Sequence, residues 1–263
     1  MMKVFWIRVK WLRYGVLTGI SLAGLWALSY PLTATWSDIK EQFTQLSSRE
    51  GRYASAPESS PLALDKAVEE KVLRSGPKVM KVALMVNVDW GEEYIGPLLT
   101  LLEQHQGRVT FFITGRFAQT KPEWVQKIHA AGHEIGNHGF SHPHPTRISE
   151  QANREELEKT EEQLTKITGK RSNWFAPPYG EYDSKVVNVA QKQGFRTVLW
   201  TVDTADWTNP TSQQWMGRVQ QGIGPGALVL MHPTKVTVET LPELLRYCQK
   251  QGWQLVTLSE LMQ

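Results

Sequence analysis

The chain is poor in cysteine, in internal repeats and in clustered positive charge, and each scarcity closes off a class of protein. A single cysteine, Cys248, among 263 residues excludes an internal disulfide framework and any zinc site built from thiolates. It lies in an apolar-periodic stretch, where a buried structural thiol is expected. No repeat of fixed period runs through the sequence, which removes solenoids and propellers. The net charge is only +3, and Lys3, Arg8, Lys10 and Arg13 account for part of it, so nothing points to a nucleic-acid partner. What is plentiful is tryptophan, 11 residues, a side chain that lines sugar grooves or fills cores.

The length suits one large α/β domain or two small ones. Residues 14–32 are apolar and uncharged, broken only by small or hydroxyl residues and Pro31, and they follow the four basic residues. About 20 such residues span a bilayer, with the basic end retained in the cytoplasm. Residues 1–35 are therefore expected to be a single-pass membrane anchor, leaving the rest of the chain extracytoplasmic. The alternative is a secreted protein whose signal peptide is cleaved at the small-x-small site Ala27-Leu28-Ser29. Residues 36–77, rich in Ser, Ala, Pro and Glu between 47 and 61, read as a juxtamembrane linker.

After Pro77, β-type runs alternate with helix-compatible segments. Strands are expected at 82–88, 109–114, 134–136, 173–176, 197–202, 227–231 and 254–258. Helices are expected at 93–104, 122–131, 149–168, 183–193, 211–221 and 241–251. This alternation predicts an α/β fold with a parallel sheet, and seven units over residues 78–263 predict a closed or nearly closed (β/α) barrel. A doubly wound open sheet is the competing architecture.

Barrels of this kind carry chemistry at the C-terminal ends of their strands. Those positions hold Asp89, Trp90 and Glu92, then Thr114 and Arg116, then His138 and His142. Pro177, Pro178 and Tyr179 come next, followed by Asp203, Asp206 and Trp207, and finally His232. Four of the seven histidines fall between 133 and 144. Of these, His138 and His142 are spaced so that both imidazoles can meet one ion where a strand gives way to Gly and Pro. A His-rich surface loop would have the same composition. Asp203 is equally suited to cap a turn, His133 to a structural turn, His144 to solvent, and Trp90, Trp174 and Trp200 to the core. Glu92 and Glu93 suit a helix N-terminus.

These motifs together resemble the polysaccharide deacetylase family, the NodB homology domain, whose fold is a distorted seven-stranded (β/α) barrel. The resemblance rests on Phe111-Phe112-Ile113-Thr114-Gly115, on Gly132-His133-Glu134-Ile135-Gly136-Asn137-His138 with Ser141-His142-Pro143, and on Pro177-Pro178-Tyr179-Gly180. It continues through Trp200-Thr201-Val202-Asp203 with Asp206-Trp207, and Leu228-Val229-Leu230-Met231-His232. It implies metal-assisted hydrolysis of N-acetyl groups on a cell-wall glycan such as peptidoglycan or a chitin-like polymer. The implied ion is divalent, usually zinc, with His138 and His142 as ligands, His232 as the acid and Asp206 as its orienting carboxylate. Pro178, Tyr179, Trp207 and Leu230 would line the substrate groove.

The resemblance fails at three positions on one side of the site. The family's first motif, Thr-Phe-Asp-Asp-Gly, supplies a base and then a metal ligand. Counted without gaps it falls on Asn87 and Val88, which can do neither. Slipped by two residues it puts Asp89 at the base and Trp90 at the ligand. The arginine of the third motif falls on Ala176. Two readings follow: a rearranged enzyme in which Asp89 serves as base or third ligand, or a degenerate member that binds or scaffolds glycan without hydrolysing it. The departures resemble a sporulation-associated branch of the family.

Overall fold

The computed structural model describes residues 66–263. The membrane segment expected at 14–32 and the linker as far as residue 65 lie outside them, and among the described residues no helix is long and apolar enough to cross a membrane. The last residues of the expected linker belong to the fold. Lys66–Glu69 form a short helix, α1, and Val72–Leu73 form β1, which pairs with a strand more than a hundred residues later.

The other strands are β2 (Lys81–Val88), β3 (Thr110–Ile113), β4 (Glu134–Asn137), β5 (Trp174–Phe175), β6 (Arg196–Val198), β7 (Val202–Asp203), β8 (Leu228–Met231) and β9 (Gln254–Val256). All pairings are parallel, in the order β1-β6-β5-β4-β3-β2-β8-β7, with β9 against the first residues of β2. The crossover helices are α2 (Glu92–Gln104), α3 (Gly115–Thr120), α4 (Pro122–Ala130), α5 (Glu150–Thr168), α6 (Ser184–Lys192), α7 (Ser212–Gly222) and α8 (Lys235–Lys250), with a last turn α9 (Leu258–Leu261). Local chemistry sets their ends: Ser149 Oγ accepts from Ala152 N–H to open α5, and Gly169 closes it at a left-handed φ of 68°.

Among the described residues nine strands replace the seven expected. One extra is β1; the other arises because the run at 197–202 is two strands rather than one. Leu199 N–H donates to Leu73 O at 2.8 Å, yet Thr201 N–H donates to Leu228 O at 2.9 Å. Within three residues the chain crosses from one end of the sheet to the other, so the barrel is joined there by a covalent step instead of a ladder.

Strand alternation sorts β2 into two cores. Val82, Leu84, Val86 and Val88 face the helices, packed with Ile95, Leu98, Phe111 and Leu244. Ala83 and Met85 face inward, with Phe112, Trp174, Val198 and Leu228. A filled interior enclosed by the sheet is a barrel property and sets aside the doubly wound alternative. Its packing leaves no slack. Gly136 lies beside Phe112 across β3 and β4, and a methyl there would overlap the Phe112 ring. Overpacking of this kind costs roughly 1–3 kcal/mol.

Candidate functional site

Strand register decides which reading of the first motif is physical. Val88 belongs to the helix-facing core and is fully buried, so it cannot reach a site at the barrel mouth. The same alternation puts Asn87 on the inward side, buried, with its Oδ1 lacking a hydrogen-bond partner. Beyond Val88 the chain turns. Gly91, at φ 83°, packs so closely on the Pro233 carbonyl that any Cβ would collide with it. This turn presents at the mouth Asp89 and Trp90, the two side chains that the slipped register names.

Asp89 is held firmly. Thr114 Oγ1 donates to its Oδ1 at 2.8 Å, and Arg116 Nη2 donates to Oδ1 at 3.0 Å and to Oδ2 at 2.8 Å. Arg116 stands at a strand end in the sequence, with no role implied by the family resemblance. The signal available was that the motif arginine, replaced by Ala176, left a carboxylate in need of a cation.

The histidine turn after β4 is built by its neighbours. Asn137 Oδ1 accepts from Gly139 N–H, and the Glu156 carboxylate accepts from the Phe140 and Ser141 amides at 2.7 Å each. His142 takes a left-handed φ of 57°. The rings of His138 and His142 meet edge to face with centroids 5.0 Å apart. His138 Nδ1–H donates to Ala176 O at 2.7 Å, which fixes its tautomer and leaves Nε2 with a free lone pair. Burial, aided by the nearby His142, pulls its pKa down to about 3. Burial also lowers His142, against the pull of the Asp89 charge. Both imidazoles are neutral near pH 7, as ligands must be.

On the opposite side His232 Nδ1–H donates to Asp206 Oδ1 at 2.7 Å, while the other Asp206 oxygen accepts from His232 N–H and Thr237 Oγ1, both at 2.6 Å. Asp206 is fully buried. Thr237 was missed because the last long helix was expected to start at 241, next to Pro242. Thr234 instead caps it at Lys235, a start that brings Thr237 under the carboxylate.

The remaining expected residues divide. Tyr179 and Trp207 are 56% and 59% exposed at the mouth. Pro178 is buried behind the histidine turn, next to Gly139, and Leu230 is buried in β8 beside Met85, so neither presents a groove surface. Asp203 caps a turn by accepting from Ala205 N–H at 2.8 Å. His133 is buried near the other end of the strands. His144 is more than a solvated residue, since it pairs with Glu181 at 2.9 Å and stacks on Tyr179 at 4.1 Å. Trp90, expected in the core, is 46% exposed and lies parallel to the His232 ring, with centroids 6.1 Å apart.

A three-ligand metal site does not fit these residues. Two neutral imidazoles are in place, but the third position is indole, Val88 faces away, and Asp89 is held by Arg116 and Thr114. Among the described residues no group of three His, Cys, Asp or Glu side chains is placed to share an ion. Such a site ordinarily needs three protein ligands.

Residues 75–198 match the family model described as polysaccharide deacetylase. The chain is 38% identical over 199 residues to the uncharacterized protein YlxY of Bacillus subtilis, covering 76% of this chain and 62% of that relative, less than two thirds of its length. It is 33% identical over 195 residues to a peptidoglycan-N-acetylglucosamine deacetylase of Bacillus cereus, covering 72% of this chain and 71% of that protein. Among solved structures it superimposes on a CE4 family pseudoenzyme from Bacillus anthracis with a TM-score of 0.72 at 35% identity, covering 73% of this chain and 69% of the other. A mutant of that pseudoenzyme, described as having restored enzymatic activity, matches at a TM-score of 0.72 and 34% identity, with 73% and 71% covered.

Proposed function

Because this chain belongs to the polysaccharide deacetylase family, we propose that it binds N-acetylated cell-wall glycan at the barrel mouth without releasing acetate as a complete family site would. The observation that carries this reading is Trp90 at the position where the family resemblance calls for a metal-holding carboxylate. Its neighbours keep their roles as shape and hydrogen-bonding surface: neutral His138 and His142 form the floor, with Tyr179 and Trp207 at the rim. The family's activity on peptidoglycan supplies the glycan class, and the pseudoenzyme relative supplies a precedent for the lost chemistry.

A second reading, a hydrolase with a rearranged site, is favoured by the Arg116–Asp89 and Asp206–His232 pairs. The first would hold a base able to take a proton from water, and the second an acid able to give one to a leaving amine. Residues 1–35 belong to the proposal as a membrane anchor that displays the domain to the cell wall, with spore-cortex glycan as one setting.

The deciding experiment incubates the full chain, with added zinc, with peptidoglycan and an acetylated chito-oligosaccharide, and measures bound glycan and released acetate. Binding without acetate is expected. Zinc-dependent acetate release that disappears in Asp89→Ala selects the hydrolase, and absence of glycan binding removes the first reading.

A further inference from the structure

Five large hydrophobic side chains stand exposed among the described residues: Val79, Met80, Trp90, Tyr179 and Trp207. The two aliphatic ones precede β2, at the end of the barrel away from the site. All three aromatic ones are at the mouth, and each is tied to the histidine constellation. Tyr179 meets His142 edge to face at 4.6 Å, Trp90 lies parallel to His232, and Trp207 follows Asp206, whose carboxylate holds His232.

Their backbones are set for presentation. Tyr179 has φ 59°, and the turn carrying Trp207 is flanked by Ala205 at φ 50° and Asn209 at φ 55°. A non-glycine residue in this region carries a conformational cost, and such cost tends to persist at binding sites. Gly91, pressed on Pro233, fixes the main chain beside Trp90. An indole carries a large apolar area that burial would stabilise, and this one is left half open.

We propose that Trp90, backed by His232, is a sugar-stacking platform that forms with Tyr179 and Trp207 a three-ring clamp for a β-linked, N-acetylated amino-sugar chain. This rests on the glycan-binding reading above and identifies the residue that replaces metal chemistry with recognition. Aromatic faces complement the C–H faces of pyranose rings. Arg116 is the cation that the structure ties to this site, and Asp89 neutralises it, so it offers little to the phosphates that a nucleic-acid strand would bring.

The test is isothermal titration of the full chain with an oligosaccharide of N-acetylglucosamine and with its de-N-acetylated counterpart, for the parent, Trp90→Phe and Trp90→Ala. The expected results are tighter binding of the acetylated chain and a loss of roughly tenfold or more in Trp90→Ala, the scale of one lost aromatic stack. Trp90→Phe is expected to stay within about threefold, since it keeps a ring face. As a readout that does not depend on the folding of Trp90→Ala, the indole N–H resonance absent from Trp90→Phe should shift in the parent when glycan is added. Equal binding by parent and Trp90→Ala, or an unmoved resonance at saturation, overturns the platform and leaves the binding reading standing. A parent that binds neither oligosaccharide overturns both.

Discussion

Arg116 reaches Asp89 from the first turn of α3, just after the neighbouring strand, with Nη2 within 3.0 Å of both carboxylate oxygens, while the position where the family resemblance puts an arginine is Ala176. The cation has moved and the carboxylate has kept a partner. What the site lacks is a ligand at residue 90. Trp90→Asp should therefore raise zinc affinity roughly a hundredfold, because the ~10–16 kcal/mol of a four-ligand zinc site implies several kcal/mol per ligand. Competition with a chromogenic chelator measures this, and unchanged affinity would show that residue 90 is not the ligand position. Adding Arg116→Ala should leave the zinc bound but lower any acetate release by roughly 10²-fold through a misplaced base.

Two nearby carboxylates should respond very differently to removal. Asp206 is buried and accepts three hydrogen bonds, whereas Asp203 accepts one, from Ala205. Asp206→Ala strands three donors and should cost about 3–5 kcal/mol, a fall in Tm of roughly 6–20 °C. Asp203→Ala should cost about 1 kcal/mol. Thermal unfolding of both variants checks the contrast, and equal losses would contradict the buried network.

Acid should weaken the fold before most carboxylates titrate. Burial, with Arg108 nearby, lowers the His133 pKa from 6.5 to about 4, and burial lowers His138 to about 3. Between those values and 6.5 the unfolded chain binds more protons than the folded one, so stability is complete above about pH 6.5 and declines as pH falls. Tm should drop steadily from pH 7 to pH 5. His133→Gln, which can still accept from Val109 N–H, should flatten part of that slope, and a level profile in the parent would refute the assignment.

Cys248 should be inert in the folded protein. It is buried in α8, and burial pushes its thiol up to about 12. At pH 8 a disulfide reagent should leave it unmodified until denaturant is added, because the thiolate is the reacting form. Rapid native labelling would mean that α8 opens locally.

The sequence by itself determined the barrel class, most crossover helices and the histidine cluster between 133 and 144, because these depend on short-range regularities. Strand and helix periods, caps such as Ser149, and the spacing of His138 and His142 are all written within a few residues. Only the tertiary structure decided the rest. Whether Val88 or Trp90 stands at the ligand position depends on which face of β2 each side chain takes, and packing against the helices put Val88 outside. The division of 197–202 into two strands depended on partners from Leu73 and Leu228, one on either side. Arg116 and Asp89 are 27 residues apart in the chain, and only the parallel pairing of β2 with β3 brings together the segments that follow the two strands. Local periodicity carries no record of such contacts, because a strand's pattern fixes its alternation but not which neighbour's loop will meet its end.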